Sequence, residues 1–151
     1  MATWNSLPSL SFLAEAEVHV APPHELGHTG QGERLMFAIE GGRFSGPGLS
    51  GTILPGGADW AFQVSRTRIE ISAHYLVERE DGVVLEITNE GTSCEVSPGI
   101  WQGETVARFR SRDPVQSHQM MIGRMRADTC QEPGIIRLAF WQVVVKGHAP
   151  A

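Results

Sequence analysis

The chain has 151 residues, of which 41% are hydrophobic and 19% charged, and it carries a net charge of −5 at pH 7. This length and composition predict a single soluble globular domain, residues 1–151, with a core of its own. The acidic balance argues against nucleic acid and anionic membranes as partners, because both are bound mainly through Lys and Arg.

Two cysteines, Cys94 and Cys130, are too few for a disulfide framework, and their separation fits no metal motif. A single bridge between them stays open, but free thiols in a reducing cytoplasm are favoured. The N-terminus shows no basic segment followed by an apolar one, so no signal peptide is expected. No stretch approaches the ~18 apolar residues of a membrane-spanning helix.

The first predicted strand is Leu10–Val20, which alternates between apolar and polar residues. Pro22 and Pro23 end it, because proline cannot donate to a ladder. One face is apolar, and the other meets either water or a wet pocket through Glu15, Glu17 and His19.

Residues 24–34 form a predicted polar loop, at a hairpin or as a lid, before a short strand at Leu35–Ile39. His24, Glu25 and His28 have the spacing of a metal site on a helix, but the surrounding prolines and glycines speak against a helix there.

The stretch Gly41–Trp60 contains seven glycines and two prolines, yet apolar residues recur through it. It predicts two short strands, Gly42–Ser45 and Leu49–Leu54, followed by a tight turn at residues 55–57. The turn brings Asp59 and Trp60 to one place. This pair is either a reactive site or a structural corner, in which the carboxylate caps backbone amides and the indole plugs a barrel end.

The clearest alternation is Arg68–Val77, which follows a predicted strand at Ala61–Ser65. A turn at residues 80–82 returns the chain as a strand at Val83–Asn89. On the first of these two strands, one predicted face holds Ile69, Ile71, Ala73, Tyr75 and Val77, and the other holds Arg68, Glu70, Ser72, His74 and Leu76.

From residue 91 onwards, the sequence predicts irregular structure at 91–103 and a strand at Val106–Arg112. Residues 115–124 predict a helical turn followed by a strand, and Ile135–Lys146 predicts a long apolar strand in the middle of a wall or buried on both sides. Many short strands joined by Gly and Pro turns are typical of an all-β barrel or sandwich.

The segments SGP (45–47) and PGGADW (55–60), with Tyr75 and the Asp81-Gly82 turn, resemble the domain of unknown function 3237 family. The resemblance covers most of the chain. It implies a single antiparallel β-barrel with an internal ligand pocket, lipocalin-like or allene-oxide-cyclase-like in general shape. Members of this family often have Arg before the Tyr, where this chain has His74, and that difference implies a changed substrate preference if the Arg serves an anionic substrate.

Asp59, Tyr75 and His74 are the candidate catalytic residues. A desolvated Asp59 would have a pKa suited to acid–base chemistry, and Trp60 would wall the substrate. Tyr75 could donate to a developing oxyanion, and His74 could relay a proton. Because the last two are neighbours on a strand, only one of them can face the lumen. Further candidates for substrate binding are Glu17, Arg108 and Arg110.

The sequence contains no nucleophile elbow, phosphate loop, dinucleotide fingerprint or metal motif. We therefore expect an enzyme without cofactor, a lyase or isomerase that acts on a small, largely apolar metabolite, aromatic ones included. The alternatives are a non-catalytic carrier that uses the same pocket, and a structural subunit whose barrel serves association into homo-oligomers.

Overall fold

The computed structural model describes residues 7–145, which are almost entirely β-structure. In this part of the chain, ten strands are interrupted by one short helix, α1 (Pro114–Ser117). No helix within these residues is long and apolar enough to cross a membrane. The strands are β1 (Ser9–Val20), β2 (His24–His28), β3 (Glu33–Ser45), β4 (Gly51–Ile53), β5 (Ala58–Ser65), β6 (Arg68–Arg79), β7 (Val84–Ser97), β8 (Ile100–Arg110), β9 (Met120–Asp128) and β10 (Ile135–Val144).

The strands form one antiparallel sheet that closes on itself. From β1 the sheet runs through β10, β9, β8, β7 and β6 to β4 and β3. β3 then pairs with β1, from Glu15↔Ser45 to Val20↔Ile39, and this pairing completes the ring. β5 continues the wall between β3 and β6, and β2 adds to the edge of β3. The predicted single antiparallel barrel is confirmed.

Side-chain alternation along the strands determines what the barrel encloses. On β1, Ala16 and Val18 are buried, whereas Glu15 is exposed. On β6, Tyr75 is buried and His74 is exposed. Since successive side chains of a strand point to opposite faces, the apolar half of each pattern fills the interior. The predicted faces of β1 and β6 are those that the structure shows.

At one end of the barrel, large buried side chains fill the interior. The rings of Phe44 and Phe140 stack with their centroids 5.6 Å apart, and the ring of Tyr75 lies 6.5 Å from that of Phe44. Fully buried aliphatic side chains surround these rings: Ile53, Val77, Leu85, Ile87 and Met121.

The helix α1 is attached at this packed end by Arg79, the last residue of β6. Its guanidinium donates to Asp113 and Gln116, at 2.8 Å in each case, and also pairs with Asp81. The two carboxylates hold the pKa of Arg79 above its ordinary value. One side chain thus joins the β6–β7 turn to the helix.

Two predicted irregular regions are strands in the structure. Residues 24–28 pair with β3 as the edge strand β2, with a register shift at Gly27. An edge strand is paired on one side only, so a polar sequence with glycine is tolerated there. The prediction of irregular structure for 91–103 is also wrong, because β7 continues to Ser97 and β8 starts at Ile100.

Gly91 and Gly103 explain the second of these errors. They look like strand breakers in the sequence, but an added Cβ at either position would collide with the backbone of the neighbouring strand. They mark a close approach of β7 and β8 rather than an end of either strand. The last predicted strand, Ile135–Lys146, lies between β1 and β9 in the middle of the wall as expected, although Lys146 is outside the described residues.

Replacement of Gly42 by Ala tests the closure of the barrel. Gly42 and Gly56 both have φ in the left-handed region, +134° and +111°, but only at Gly42 would a Cβ collide with the backbone, at the carbonyl of Glu17 on β1. We expect Gly56→Ala to cost about 1–2 kcal/mol of unfolding free energy through its backbone conformation alone. Gly42→Ala should cost at least about 3 kcal/mol, because β1 and β3 must separate.

Urea unfolding of the two variants measures this difference, and Gly56→Ala is the matched control. Equal losses of unfolding free energy in the two variants would show that the β1–β3 approach does not limit stability.

Candidate active site

A cavity enters the barrel at the end opposite the packed core. Its wide outer part has a volume of about 440 Å³ and its narrow inner part about 40 Å³. Along β6, the inward residues pass from Ile69 and Ile71 in the outer part to Tyr75 in the inner part and Val77 in the packed core. The two parts adjoin, because both are lined by Val20, Asp59, Ile71, Met125 and Ile136.

Small residues at inward positions leave room for this cavity. Ala73 on β6 faces Asn89 on β7, which in turn faces Ala107 on β8. One row further along, Gly91 is in register with Thr105, and Thr105 with Gly123. Large side chains at these positions would fill the cavity, so composition and register together create it.

Asp59 is placed in the cavity by the turn that precedes β5. Gly57 lies so close to β6 that an added Cβ would press on Tyr75, and this approach sets β5 against β6. The side chain of Asp59 then points inward, and its Oδ1 accepts a hydrogen bond of 2.9 Å from the backbone N–H of Ser72. The residue is only 8% exposed.

The carboxyl of Asp59 titrates close to neutrality. Burial raises its pKa from the ordinary 3.8 to about 6, although the Ser72 hydrogen bond and the charge of Arg34 oppose the shift. If Asp59 were a structural corner, several backbone amides would donate to its carboxylate and lower its pKa. One backbone amide is not enough to offset the desolvation of the carboxylate.

Tyr75 provides a hydroxyl group that remains protonated at every physiological pH. The residue is 3% exposed, and burial raises the pKa of its phenol. Its OH is buried without a hydrogen-bond partner. It is therefore suited to donate a hydrogen bond to a ligand and unsuited to act as a base.

The cavity contains an unusual concentration of unpartnered polar atoms. Among residues 7–145, five buried side-chain oxygens have no hydrogen-bond partner, and four of them belong to cavity-lining residues. Such atoms are rare in folded proteins, and each one calls for an explanation. The four are Tyr75 OH, Asn89 Oδ1, Ser93 Oγ and Thr105 Oγ1.

The charge lining the cavity is purely acidic. Asp59 lies inside and Glu132 at the outer part, and in the described part of the chain no Lys or Arg lines either portion. Nor do residues 7–145 bring three His, Cys, Asp or Glu side chains together as a metal site would need.

Several residues predicted for the site lie elsewhere. His74 points outward, with its side chain 59% exposed and its Nε2 2.6 Å from Glu86 Oε2. Trp60 is 43% exposed on the outer face, where the guanidinium of Arg34 lies 5.6 Å from its ring centroid. Because Trp60 follows Asp59 directly on β5, both cannot face inward.

The other three candidates for substrate binding also point outward. Arg108 and Arg110 are exposed on β8, on the face opposite the buried Ala107 and Phe109. Glu17 lies in a separate groove on the outer surface, where its carboxylate accepts a 2.9 Å hydrogen bond from Arg137. Of the predicted residues, the structure brings Asp59 and Tyr75 into one cavity and leaves the other five outside it.

Asn89, Ser93 and Thr105 were not predicted for the site. Asn89 continues the inward phase of Val83, Leu85 and Ile87, so a polar residue in an apolar row was the available signal. Ser93 belongs to the stretch predicted to be irregular, where no inward phase could be assigned. His74 faces outward, so a change of substrate preference through this position would not act from inside the cavity.

Comparison with known families identifies the chain. The family of proteins of unknown function DUF3237 has a sequence model that matches residues 8–123. The chain belongs to this family. A UPF0311 protein of Rhodopseudomonas palustris (strain TIE-1) is 43% identical over 67 residues, which are 43% of this chain and 42% of that protein. A UPF0311 protein of Clostridium acetobutylicum is 35% identical over 60 residues, 40% of this chain and 38% of that protein. The matched segments thus span less than half the length of these UPF0311 proteins.

Solved structures share the fold of this DUF3237 protein. A beta-barrel like protein from Acinetobacter baumannii has a TM-score of 0.82 at 24% identity, covering 93% of this chain and 99% of that chain. A protein with unknown function from Clostridium acetobutylicum has a TM-score of 0.80 at 21% identity, covering 91% and 100%. An enzyme from Penicillium herquei has a TM-score of 0.70 at 19% identity, covering 95% and 100%. At these identities the likeness shows the fold.

Asp59→Asn should stabilise the protein above pH 6 and change its stability little near pH 4. Between pH 4 and 6 the folded wild type holds a proton on Asp59 that the unfolded chain has lost, because the folded pKa is about 6 and the ordinary value 3.8. The unfolding free energy of the wild type therefore falls as the pH rises through this window. The side chain in Asp59→Asn cannot ionise, so the variant avoids this loss of unfolding free energy. The loss amounts to up to about 3 kcal/mol at pH 8.

Denaturant unfolding at pH 4, 6 and 8 measures the effect. Asp81→Asn is the control of opposite sign, because Arg79 lowers the pKa of Asp81 to about 2. That variant should lose stability at neutral pH and approach the wild type in acid. If Asp59→Asn were less stable than the wild type at pH 8, Asp59 would be a structural anchor.

Proposed function

We propose that this protein is a cofactor-independent lyase or isomerase that acts by acid–base chemistry on a small, largely apolar metabolite, with Asp59 as the base. The observation that carries the proposal is a buried carboxyl of pKa about 6 in the same cavity as an unpartnered phenol. Groups with perturbed pKa values that share a cleft with other reactive groups are typical of active sites.

Asp59 is ionised at neutral pH and surrounded mostly by apolar side chains. Its Oδ1 is engaged by Ser72, which fixes the orientation of the carboxylate and leaves Oδ2 for a substrate proton. A base with a pKa near the working pH combines the correct protonation state with sufficient driving force for proton transfer. The walls that exclude water around it include Val20, Phe37, Ile71 and Ile136.

Tyr75 supplies the complementary group. Its hydroxyl is held in the inner part of the cavity, behind Asp59, by the packing of its ring against Phe44. A hydroxyl that stays protonated can donate a hydrogen bond to an oxygen atom as negative charge develops there. In this site, base and donor reach a ligand from different strands, β5 and β6.

The reaction begins with transfer of a proton from a carbon next to a carbonyl group to Asp59. The C–H electron pair forms a C=C bond, and the carbonyl π pair moves to oxygen, where Tyr75 stabilises the enolate. If the substrate has a C=C bond conjugated with the enolate, protonated Asp59 can return the proton to the far carbon of that bond; the electron pair on oxygen re-forms the carbonyl, the double bond moves by one position, and the product is an isomer. If the enolate expels a leaving group from the neighbouring carbon, the reaction is an elimination and the protein is a lyase.

The fold is compatible with catalysis elsewhere, since the Penicillium herquei protein of similar structure is an enzyme. This likeness supports an enzymatic role for the present barrel and says nothing about the substrate. A carrier protein would need the same apolar cavity, but it would have no use for a carboxyl whose pKa is close to neutrality.

Deuterium exchange tests the proton transfer. The protein is incubated in D₂O with 2-tetralone, a neutral bicyclic ketone with acidic C–H bonds, and deuterium uptake is followed by mass spectrometry. Asp59→Asn should slow the exchange by at least about 10²-fold, and Tyr75→Phe by about 10²-fold. The wild-type rate should rise with pH to a plateau, with a midpoint at about 6.

His74→Gln is the matched control, because His74 adjoins Tyr75 in sequence but lies on the outer face. Its exchange rate should equal that of the wild type. Ketone binding, seen as a raised melting temperature, without any catalysed exchange would favour the carrier. Exchange by Asp59→Asn as fast as by the wild type would assign the base to another residue.

A further inference from the structure

We infer that the cavity receives its ligand with a polar head first, and that this head is neutral and bears a hydroxyl group, while an apolar body fills the outer part. The inference rests on the proposed function only in taking the cavity as the site where the ligand binds. It concerns recognition and does not depend on which bond reacts.

Three of the four unpartnered oxygens lie together in the narrow inner part of the cavity, whereas the fourth, Ser93 Oγ, lies in the outer part. Tyr75, Asn89 and Thr105 all line the narrow inner part, and each has a buried oxygen without a partner. The wide outer part is lined mainly by apolar side chains, among them Phe37, Ile69, Ile71, Trp101, Ile135 and Ile136. A ligand that matches both parts has one polar end and one apolar end.

The inner part suits a head that both donates and accepts hydrogen bonds. Asn89 Oδ1, which is the unpartnered atom of that amide, accepts, so a donor on the head completes it. The hydroxyls of Tyr75 and Thr105 can each donate or accept. A hydroxyl group is the smallest neutral head that satisfies both needs, and it suits a space of about 40 Å³.

The charge of the cavity excludes the common ionised heads. An anionic head would have to pass the carboxylate of Asp59 and lose its hydration without meeting a Lys or Arg, since none lines the cavity within residues 7–145. A cationic head would be attracted by Asp59, but in the inner part its other partners would be uncharged oxygens, which replace its lost hydration poorly. An uncharged head avoids both costs.

The inner polar residues are also poorly explained by the needs of folding. An unpartnered buried oxygen destabilises the folded protein, and replacing it by an apolar group of similar shape is close to neutral or favourable. Thr105, packed in register between Gly91 and Gly123, could be Val without a change of shape. A ligand that completes their hydrogen bonds would explain why polar residues occupy these buried positions.

The test compares four ligands with the same body: 2-indanol, indane, indane-2-carboxylate and 2-aminoindane. Calorimetric titration should show 2-indanol binding about tenfold more tightly than indane, the scale of one or two hydrogen bonds, and more tightly than either charged compound. In Thr105→Val and Asn89→Leu the advantage of 2-indanol over indane should disappear, while indane binding stays as in the wild type.

Thr88→Val is the matched control, because Thr88 adjoins Asn89 on β7 but faces outward, opposite His74 and Arg108. Urea unfolding without ligand should show Thr105→Val and Asn89→Leu at least as stable as the wild type, which a purely structural role would not allow. Tightest binding of the carboxylate or the amine, equal binding of all four compounds, or binding of none would each overturn the inference.

These outcomes are independent of the exchange experiment. A failure of 2-tetralone to exchange would leave the binding order of the indanes intact, and the protein would then be a binder of hydroxylated ligands. Conversely, catalysed exchange together with a preference for indane-2-carboxylate would preserve the enzyme and reject the neutral head.

Discussion

The pairing of β1 with β3 is the interaction on which the rest of the structure depends. Without it, the sheet would be open along two edges and its inner face would meet water. The raised pKa of Asp59 results from burial, so it exists only because the ring is closed. Closure in turn depends on backbone contact at Gly42, where the strands approach too closely for any side chain. Gly42 does not line the cavity, yet it is a condition for the raised pKa of Asp59 inside it.

Much of the fold could be predicted from the sequence, because barrel strands have a local signature. The alternation in Leu10–Val20 and Arg68–Val77 predicted the correct faces, and the PGGADW segment indicated the family. The alternation also limits which residues can share a face, and the site predicted at residues 59 and 60 does not respect that limit. Adjacent residues on a strand face opposite sides, so an inward Asp59 requires an outward Trp60. Glu17 and Arg108 lie outside for the same reason.

The sequence signal for the remaining site residues is weak, a polar Asn89 in an apolar row at most, because their roles are set by partners far away in the chain. Nothing near Asn89 or Thr105 in sequence shows that the residues opposite them are small, yet these small neighbours create the cavity. The glycines at 91 and 103 were misleading, since close approach of two strands and the end of a strand look alike in one dimension. Long-range register, rather than local propensity, determines which polar residues line the cavity.

Strand β6 runs along the outer part of the cavity, the inner part and the packed core, from Ile69 at the outer part to Val77 in the core. Substitutions at Ile69, Ile71 or Ala73 would reshape the binding space while Val77 and its neighbours keep the barrel folded. A change in strand length has a different effect. With the register of Ile69 kept, deleting one residue between Ile69 and His74 would turn His74 inward and Tyr75 outward, and so exchange a phenol for an imidazole inside the cavity. Evolution of this barrel can therefore proceed through point changes, whereas insertions and deletions are confined to its turns.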